Sequence, residues 1–113
     1  MKDLVFVGSS RKDIRDFPKK VKVDLGFALQ IAQWGGKAGS TKPLKGFHGA
    51  GVLEVVGDFE ANVYRAVYTV RFEKAVYVLH CFQKKSKHGI KTPQKEMERV
   101  WSQCETAGPS IRP

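Results

Sequence analysis

Basic and titratable side chains gather between residues 80 and 93, where the sequence reads HCFQKKSKHGIKTP. Lys84 and Lys85 end an apolar, β-prone run, and His88 follows in a stretch without any acidic residue. Lysine side chains can stabilise negative charge that develops on a phosphate, and histidine can transfer protons near neutral pH. These residue types suit the binding or cleavage of a polyanion, although a nucleophilic cysteine, a metal site and a solvated loop must also be weighed.

Cysteine and metal chemistry find little support in the sequence. The chain has two cysteines and three histidines, and their scattered positions lack the paired spacing of a zinc site. Cys81 and Leu79 are two residues apart on a predicted strand and should share its core-facing side, while Cys104 falls on the apolar stripe of a predicted helix. We therefore expect no metal and no cofactor, and reduced thiols in a cytoplasmic protein.

The composition indicates one folded, basic domain over residues 1–113, with a frayed tail at 106–113. Hydrophobic residues make up 42% of the chain, and 20 basic against 11 acidic side chains give a net charge of +9. Such an excess favours nucleic acid, an anionic membrane surface or an acidic protein as partner. No apolar run is long enough to span a bilayer. Among these partners we expect nucleic acid and a protein rather than a membrane. A basic protein that binds no polyanion is the alternative.

Apolar spacing and turn residues predict seven elements. In chain order they are a strand at 4–7, a helix at 11–17, an amphipathic helix from 19 to the glycines at 35–36, strands at 51–56, 62–72 and 75–84, and a helix that opens at 92–93. A long Gly-rich loop is predicted at 35–51. The order β-α-α-β-β-β-α predicts an α+β fold, with the helices packed on one face of a small, twisted antiparallel sheet.

Several motifs, in their order and spacing, resemble the phage-type branch of the RelE/HigB superfamily of toxins. They are KPLKG at 42–46, LE at 53–54, YRAVY at 64–68, VLHCFQKK at 78–85, KTP at 91–93 and an acidic-apolar helix that begins near Glu96. The resemblance covers roughly residues 3–103. It implies a type II toxin that cuts mRNA without a metal, a small α+β fold, and a small antitoxin partner, usually a helix-turn-helix protein.

Metal-independent RNA cleavage needs a base for the ribose 2′-hydroxyl, a cation for the phosphorane and an acid for the leaving oxygen. Arg65 suits the cation role because a guanidinium binds phosphate in a bidentate manner. Lys84 and Lys85 match the family positions best, and His88 is a candidate acid or base, with a solvated loop histidine as the alternative. Glu54 is either a base or the ion-pair partner of Arg65 across adjacent strands.

A second set of residues suits RNA binding. Lys42 and Lys45 lie on the predicted Gly-rich loop beside Phe47, and cations interleaved with an aromatic ring are typical of single-strand recognition. Lys87 and Lys91 add phosphate attraction. The alternatives are a ring that pins the loop to the core and a solvated positive face.

Position 56 departs from the pattern of the superfamily. Many relatives carry a basic residue there, two positions after the glutamate, whereas this chain has Val56. The departure keeps two alternatives open: a catalytically weak RNA- or antitoxin-binding protein on the same fold, and a basic phage-derived accessory protein. His80, on the same strand as Lys84, either faces the active cleft or is a hydrogen-bonded residue at the sheet edge.

Overall fold

The chain folds into five strands and three helices in a computed structural model that describes residues 1–44, 51–84 and 93–107. In chain order the elements are β1 (Asp3–Phe6), α1 (Ser10–Arg15), α2 (Lys19–Gln33), β2 (Thr41–Pro43), β3 (Val52–Phe59), β4 (Asn62–Thr69), β5 (Ala75–Lys84) and α3 (Gln94–Ala107). None of the helices it describes is both long enough and apolar enough to cross a membrane.

The five strands form one sheet in the order β1-β5-β4-β3-β2. β3, β4 and β5 follow one another as an antiparallel meander, and β2 adds to the outer edge of β3. β1 occupies the opposite edge and pairs with β5 in parallel. Because β1 and β2 lie at opposite edges, the helical segment between them has to cross one face of the sheet.

α2 covers that face because its apolar residues recur at helical spacing. The buried residues of this helix are Val21, Leu25, Ala28, Leu29 and Ala32. Gly57 of β3 faces them, and a Cβ atom at this position would stand 3.4 Å from Val21 and 3.5 Å from Leu25. A larger side chain at position 57 would therefore push α2 away from the sheet. Gly35, with a φ of 89°, ends the helix in the left-handed conformation that glycine adopts readily.

α3 packs on the opposite face of the sheet from α2. Its buried residues Val100 and Cys104 join a core with Val67, Leu79 and Phe82 of the strands. β5 can serve both helices because successive strand residues point to opposite faces. The sheet is thus a central layer between two apolar cores.

A β-bulge interrupts the regular alternation of β5. The pairing with β4 steps from His80 directly to Val78, so Leu79 is the extra residue. As a result Cys81 joins the core under α2, and Leu79 joins the core under α3. The prediction that Leu79 and Cys81 share one face of the strand is wrong, although both residues are buried as expected.

The predicted α+β class is confirmed, and three details differ from the prediction. The sheet is mixed rather than antiparallel, because β1 enters it beside β5 in the parallel direction. Helices cover both faces rather than one, because β5 carries apolar residues on both sides and each side needs a covering layer. The predicted loop at 35–51 contains β2, an edge strand of three residues that includes Pro43. Proline is tolerated at a sheet edge, but it hides a strand from a sequence pattern.

Candidate nucleic-acid interface

The sheet face beneath α3 carries several of the predicted site residues. The strand register aligns Val56 with Arg65 and Arg65 with Phe82, and it aligns Lys42 of β2 with Glu54 of β3. Directly paired residues on neighbouring strands point to the same face. Phe82 belongs to the core under α3, so these five residues all share the α3 face.

A buried ion pair occupies this face. Arg65 Nη1 donates a hydrogen bond to Glu54 Oε1 across 2.8 Å. Only 5% of Arg65 and 1% of Glu54 are exposed, and either charge would be costly to bury alone. Of the two roles that the sequence left open for Glu54, the ion pair is the one present in the structure. The phosphate-binding role of Arg65 stays a prediction.

Lys42 is exposed on β2 and adds a positive charge to this face. Lys42 pairs with Glu54, and the amide of Val56 donates to the carbonyl of Ser40 across 3.3 Å. Lys42 and Val56 are therefore diagonal neighbours, a separation that a long side chain can bridge. Lys42 can place its ammonium group near position 56, where the resemblance predicts a cation. Sequence reasoning could not establish this proximity because it placed Lys42 in a loop.

His80 connects the sheet to the first turn of α3. Its Nε2 atom lies 2.7 Å from Glu96 Oε1, and its ring stacks on Phe82 with 5.0 Å between the ring centroids. His80 is buried and hydrogen-bonded, as one of the two predicted roles requires, but it lies on the interior strand β5 and not at the sheet edge. Glu96 was not predicted as its partner, and its place near the start of a predicted helix was the only signal. A cavity of about 420 Å³ lies beside this pair, lined by His80, Lys95, Glu96, Glu98, Arg99 and Ser102.

The other predicted site residues fall partly or wholly outside the described part of the chain. Lys84 is the last residue of β5, and its backbone pairs with Val63 of β4. Six further predicted residues lie outside the described ranges and stay predictions: Lys45, Phe47, Lys85, Lys87, His88 and Lys91.

The two cysteines are buried and form no disulfide. Burial raises the pKa of the Cys81 thiol to about 12, and the negative charge of Asp13 adds to the shift. A thiol with this pKa stays protonated at neutral pH and is a poor nucleophile. Within residues 1–44, 51–84 and 93–107, no three His, Cys, Asp or Glu side chains are grouped so as to hold a metal ion.

We expect the protein to lose stability as the pH rises above about 9, because the folded state holds the Cys81 proton that the unfolded chain releases. The thiol ionises at its ordinary pKa of 9.0 when unfolded and at about 12 when folded. The free energy of unfolding should therefore fall by up to about 1.4 kcal/mol per pH unit in this window. Denaturant titrations between about pH 8 and pH 11, on wild type and Cys81→Ala, measure the effect.

The Cys81→Ala variant should show a shallower decline over the same window. A residual decline should come from Tyr68, because burial raises the pKa of its hydroxyl, with the Thr41 hydroxyl partly opposing the shift. The same decline in both proteins would contradict the assignment to Cys81.

Comparison with known proteins shows the fold and the family. A structure of the E. coli toxin RelE, a double arginine-to-alanine mutant in the free state, matches with a TM-score of 0.60 and 19% sequence identity, over 95% of this chain and 97% of that chain. This match confirms the predicted resemblance to the RelE/HigB superfamily at the level of the fold. No curated protein matches the chain. The family model described as Phage derived protein Gp49-like matches residues 12–103, most of the sequence, and the protein therefore belongs to this phage-derived Gp49-like family.

Proposed function

We propose that the chain is the toxin of a type II toxin–antitoxin pair and a metal-independent endoribonuclease that cleaves mRNA on the ribosome. The phage-derived family and the fold shared with the toxin RelE support the toxin role. The net charge of +9 supports a polyanionic substrate. The observation that carries the proposal is the strand register, which places exposed Lys42 diagonally beside Val56, on the sheet face that bears Arg65.

In this proposal the cations of the α3 face stabilise the charge that develops on the scissile phosphate. Lys42 supplies the positive charge that Val56 lacks, and Lys84 and Lys85 add further cations from the end of β5. His88 transfers the proton to or from a ribose or leaving oxygen. Glu54 holds Arg65 in place rather than acting as the base, because its carboxylate is buried and already accepts a hydrogen bond from that guanidinium.

Binding of single-stranded RNA involves the segments on either side of this face. Lys45 and Phe47 bind a phosphate and stack on a base, respectively, and Lys87 and Lys91 contribute nonspecific phosphate attraction. The natural partner is an antitoxin, a small helix-turn-helix protein that forms a hetero-oligomer with this chain in the cytoplasm.

A second candidate is a protein that binds RNA or an antitoxin but cleaves RNA weakly. The observation that favours it is Val56 itself, which pairs with Arg65 on the α3 face and carries no charge. Loss of one cation from a site that stabilises a phosphorane costs a large part of the rate.

The third candidate is a basic phage-derived accessory protein. Only the net charge and the family membership support it.

The test is induced expression of the chain in cells, followed by mapping of mRNA ends. Wild type should arrest growth and produce new mRNA ends. Lys84→Ala and Lys42→Ala should each reduce cleavage by about 10²-fold, as expected for removal of a group that stabilises the transition state. Adding Val56→Lys to the Lys42→Ala variant should restore much of the loss, because a lysine at position 56 can occupy the same space. Lys74→Ala, a change at an exposed lysine before β5, is the matched control and should cleave as wild type.

Three results would argue against the proposal in different ways. RNA binding without new mRNA ends would favour the weakly cleaving protein. If the chain shows no cleavage and no salt-dependent RNA binding, the result would favour the accessory protein. Full activity of Lys42→Ala would remove the assigned role of this side chain.

A further inference from the structure

The outer face of α2 exposes a row of large apolar side chains that the fold itself does not use. Val23, Phe27 and Trp34 are 61%, 63% and 69% exposed. Spacings of four and eleven residues bring them onto one side of a helix, opposite the residues that pack on the sheet. Phe27 and Trp34 alone leave on the order of 250 Å² of surface in water. Gln30 is also exposed and lies between Phe27 and Trp34 on this side, so one polar side chain interrupts the row. Exposed apolar side chains grouped in this way mark interaction sites.

The flank of this row contains a glycine that α2 does not need. Gly26 is exposed beside Val23, about 100° around the helix from Phe27, and a Cβ atom placed on it would meet nothing within 4 Å. A glycine inside a helix is less favourable than alanine, and no contact within the described residues compensates for it. It leaves the backbone open beside the row, where a second helix can approach closely.

The charges around the row specify what fits it. Lys19 extends the row by one turn toward the start of α2, and Lys22 lies beside Val23; both are exposed. Lys20 and Asp24 pair with each other across 3.0 Å, whereas Lys19 and Lys22 have no acidic partner in the described part of the chain. A complementary surface is therefore apolar along its centre and acidic at one end.

We propose that the outer face of α2 binds an acidic amphipathic helix of a separate protein, the antitoxin of this chain. The identity of the partner rests on the proposed toxin role, whereas the chemistry of the surface does not. The row from Val23 to Trp34 is about 17 Å long, which matches three turns of such a helix. A second copy of this chain fits less well, because each copy carries a net charge of +9 and the same lysines.

The experiment measures binding of the purified full chain to two synthetic peptides by fluorescence anisotropy. Both are 21-residue amphipathic helices with leucine along one side; one carries glutamate on the flanks, and the other carries lysine at the same positions. The glutamate peptide should bind at least tenfold more tightly than the lysine peptide. Phe27→Glu should weaken its binding at least tenfold, because a charge would stand in the apolar row.

Matched charge changes separate this surface from general attraction to a basic protein. The double variant Lys19→Glu/Lys22→Glu should weaken binding of the glutamate peptide at least tenfold, and it should strengthen binding of the lysine peptide. Lys74→Glu/Lys95→Glu makes the same change in net charge at exposed positions elsewhere and should reduce binding of the glutamate peptide less than threefold. All of these positions are exposed, so each variant should melt within a few degrees of wild type.

Several outcomes would overturn the proposal. Equal loss of binding in the two double variants would show that only net charge matters. Self-association that Phe27→Glu abolishes would assign the surface to a second copy. Direct binding of RNA that Phe27→Glu weakens at least tenfold would assign it to RNA. Growth arrest on expression in cells tests the toxin role separately from the docking surface, which peptide binding tests. Growth arrest without peptide binding rejects the docking surface alone, and peptide binding without growth arrest rejects the toxin role alone.

Discussion

Replacing Glu54 with alanine should lower the free energy of unfolding by about 3–5 kcal/mol. The substitution removes the carboxylate that accepts the hydrogen bond of Arg65 at 2.8 Å, and it leaves a guanidinium that is only 5% exposed without this partner. Most of the cost comes from keeping the guanidinium buried without this carboxylate rather than from the attraction that is lost. Urea or guanidinium titrations of wild type and Glu54→Ala at neutral pH measure the difference.

Two controls show whether burial is the cause. The double variant Glu54→Leu/Arg65→Met replaces both charges with apolar groups and should be far more stable than Glu54→Ala. Asp24→Ala removes the acid of the exposed Lys20–Asp24 pair and should cost less than about 1 kcal/mol. A small effect of Glu54→Ala, comparable with that of Asp24→Ala, would mean that water or another group reaches Arg65.

Two alanine substitutions in α2, at positions two residues apart, should lower the free energy of unfolding by amounts that differ by several kcal/mol. Leu25 is fully buried against Gly57 and the sheet, and Leu25→Ala should cost about 2–5 kcal/mol through lost apolar burial and a cavity. Phe27 is 63% exposed, and Phe27→Ala should change the free energy of unfolding by less than about 0.5 kcal/mol. The same denaturant titrations compare the two variants.

The pair of variants also bears on the use of Phe27. A large aromatic residue whose removal leaves stability unchanged has no part in the core, so its presence calls for another explanation, and docking of a partner is the one we propose. A loss of more than about 1 kcal/mol in Phe27→Ala would instead assign this ring to the fold.

The sequence was sufficient for elements whose pattern is local. α2 was predictable because its five buried residues recur at helical spacing, and β3 to β5 were predictable because β-prone runs alternate with short turns. β2 was not, since three residues that include Pro43 hold no periodic signal and pair with β3 only once the sheet exists. The bulge at Leu79 was not predictable either, because regular alternation is the only rule that a sequence offers for strand faces.

The candidate site divides in the same way. The Glu54–Arg65 pair was anticipated because both residues lie on neighbouring strands of a predicted meander. The proximity of Lys42 to Val56 depends on the register of the unpredicted strand β2, and the contact of His80 with Glu96 depends on where α3 docks. Both contacts join segments that are distant in the sequence, and the sequence carries no information about how such segments pack together.

The central sheet separates the two surfaces to which we assign binding. α2 lies on one face, whereas Lys42 and Arg65 lie on the other, and layers packed on a sheet are about 10 Å apart from it on each side. A helix bound on the outside of α2 would not compete with RNA for space, and the two could occupy the protein at the same time. This surface would therefore serve as an anchor that keeps an antitoxin attached while RNA is present, and inhibition would require a second segment of that antitoxin to pass around the sheet edge and cover the opposite face.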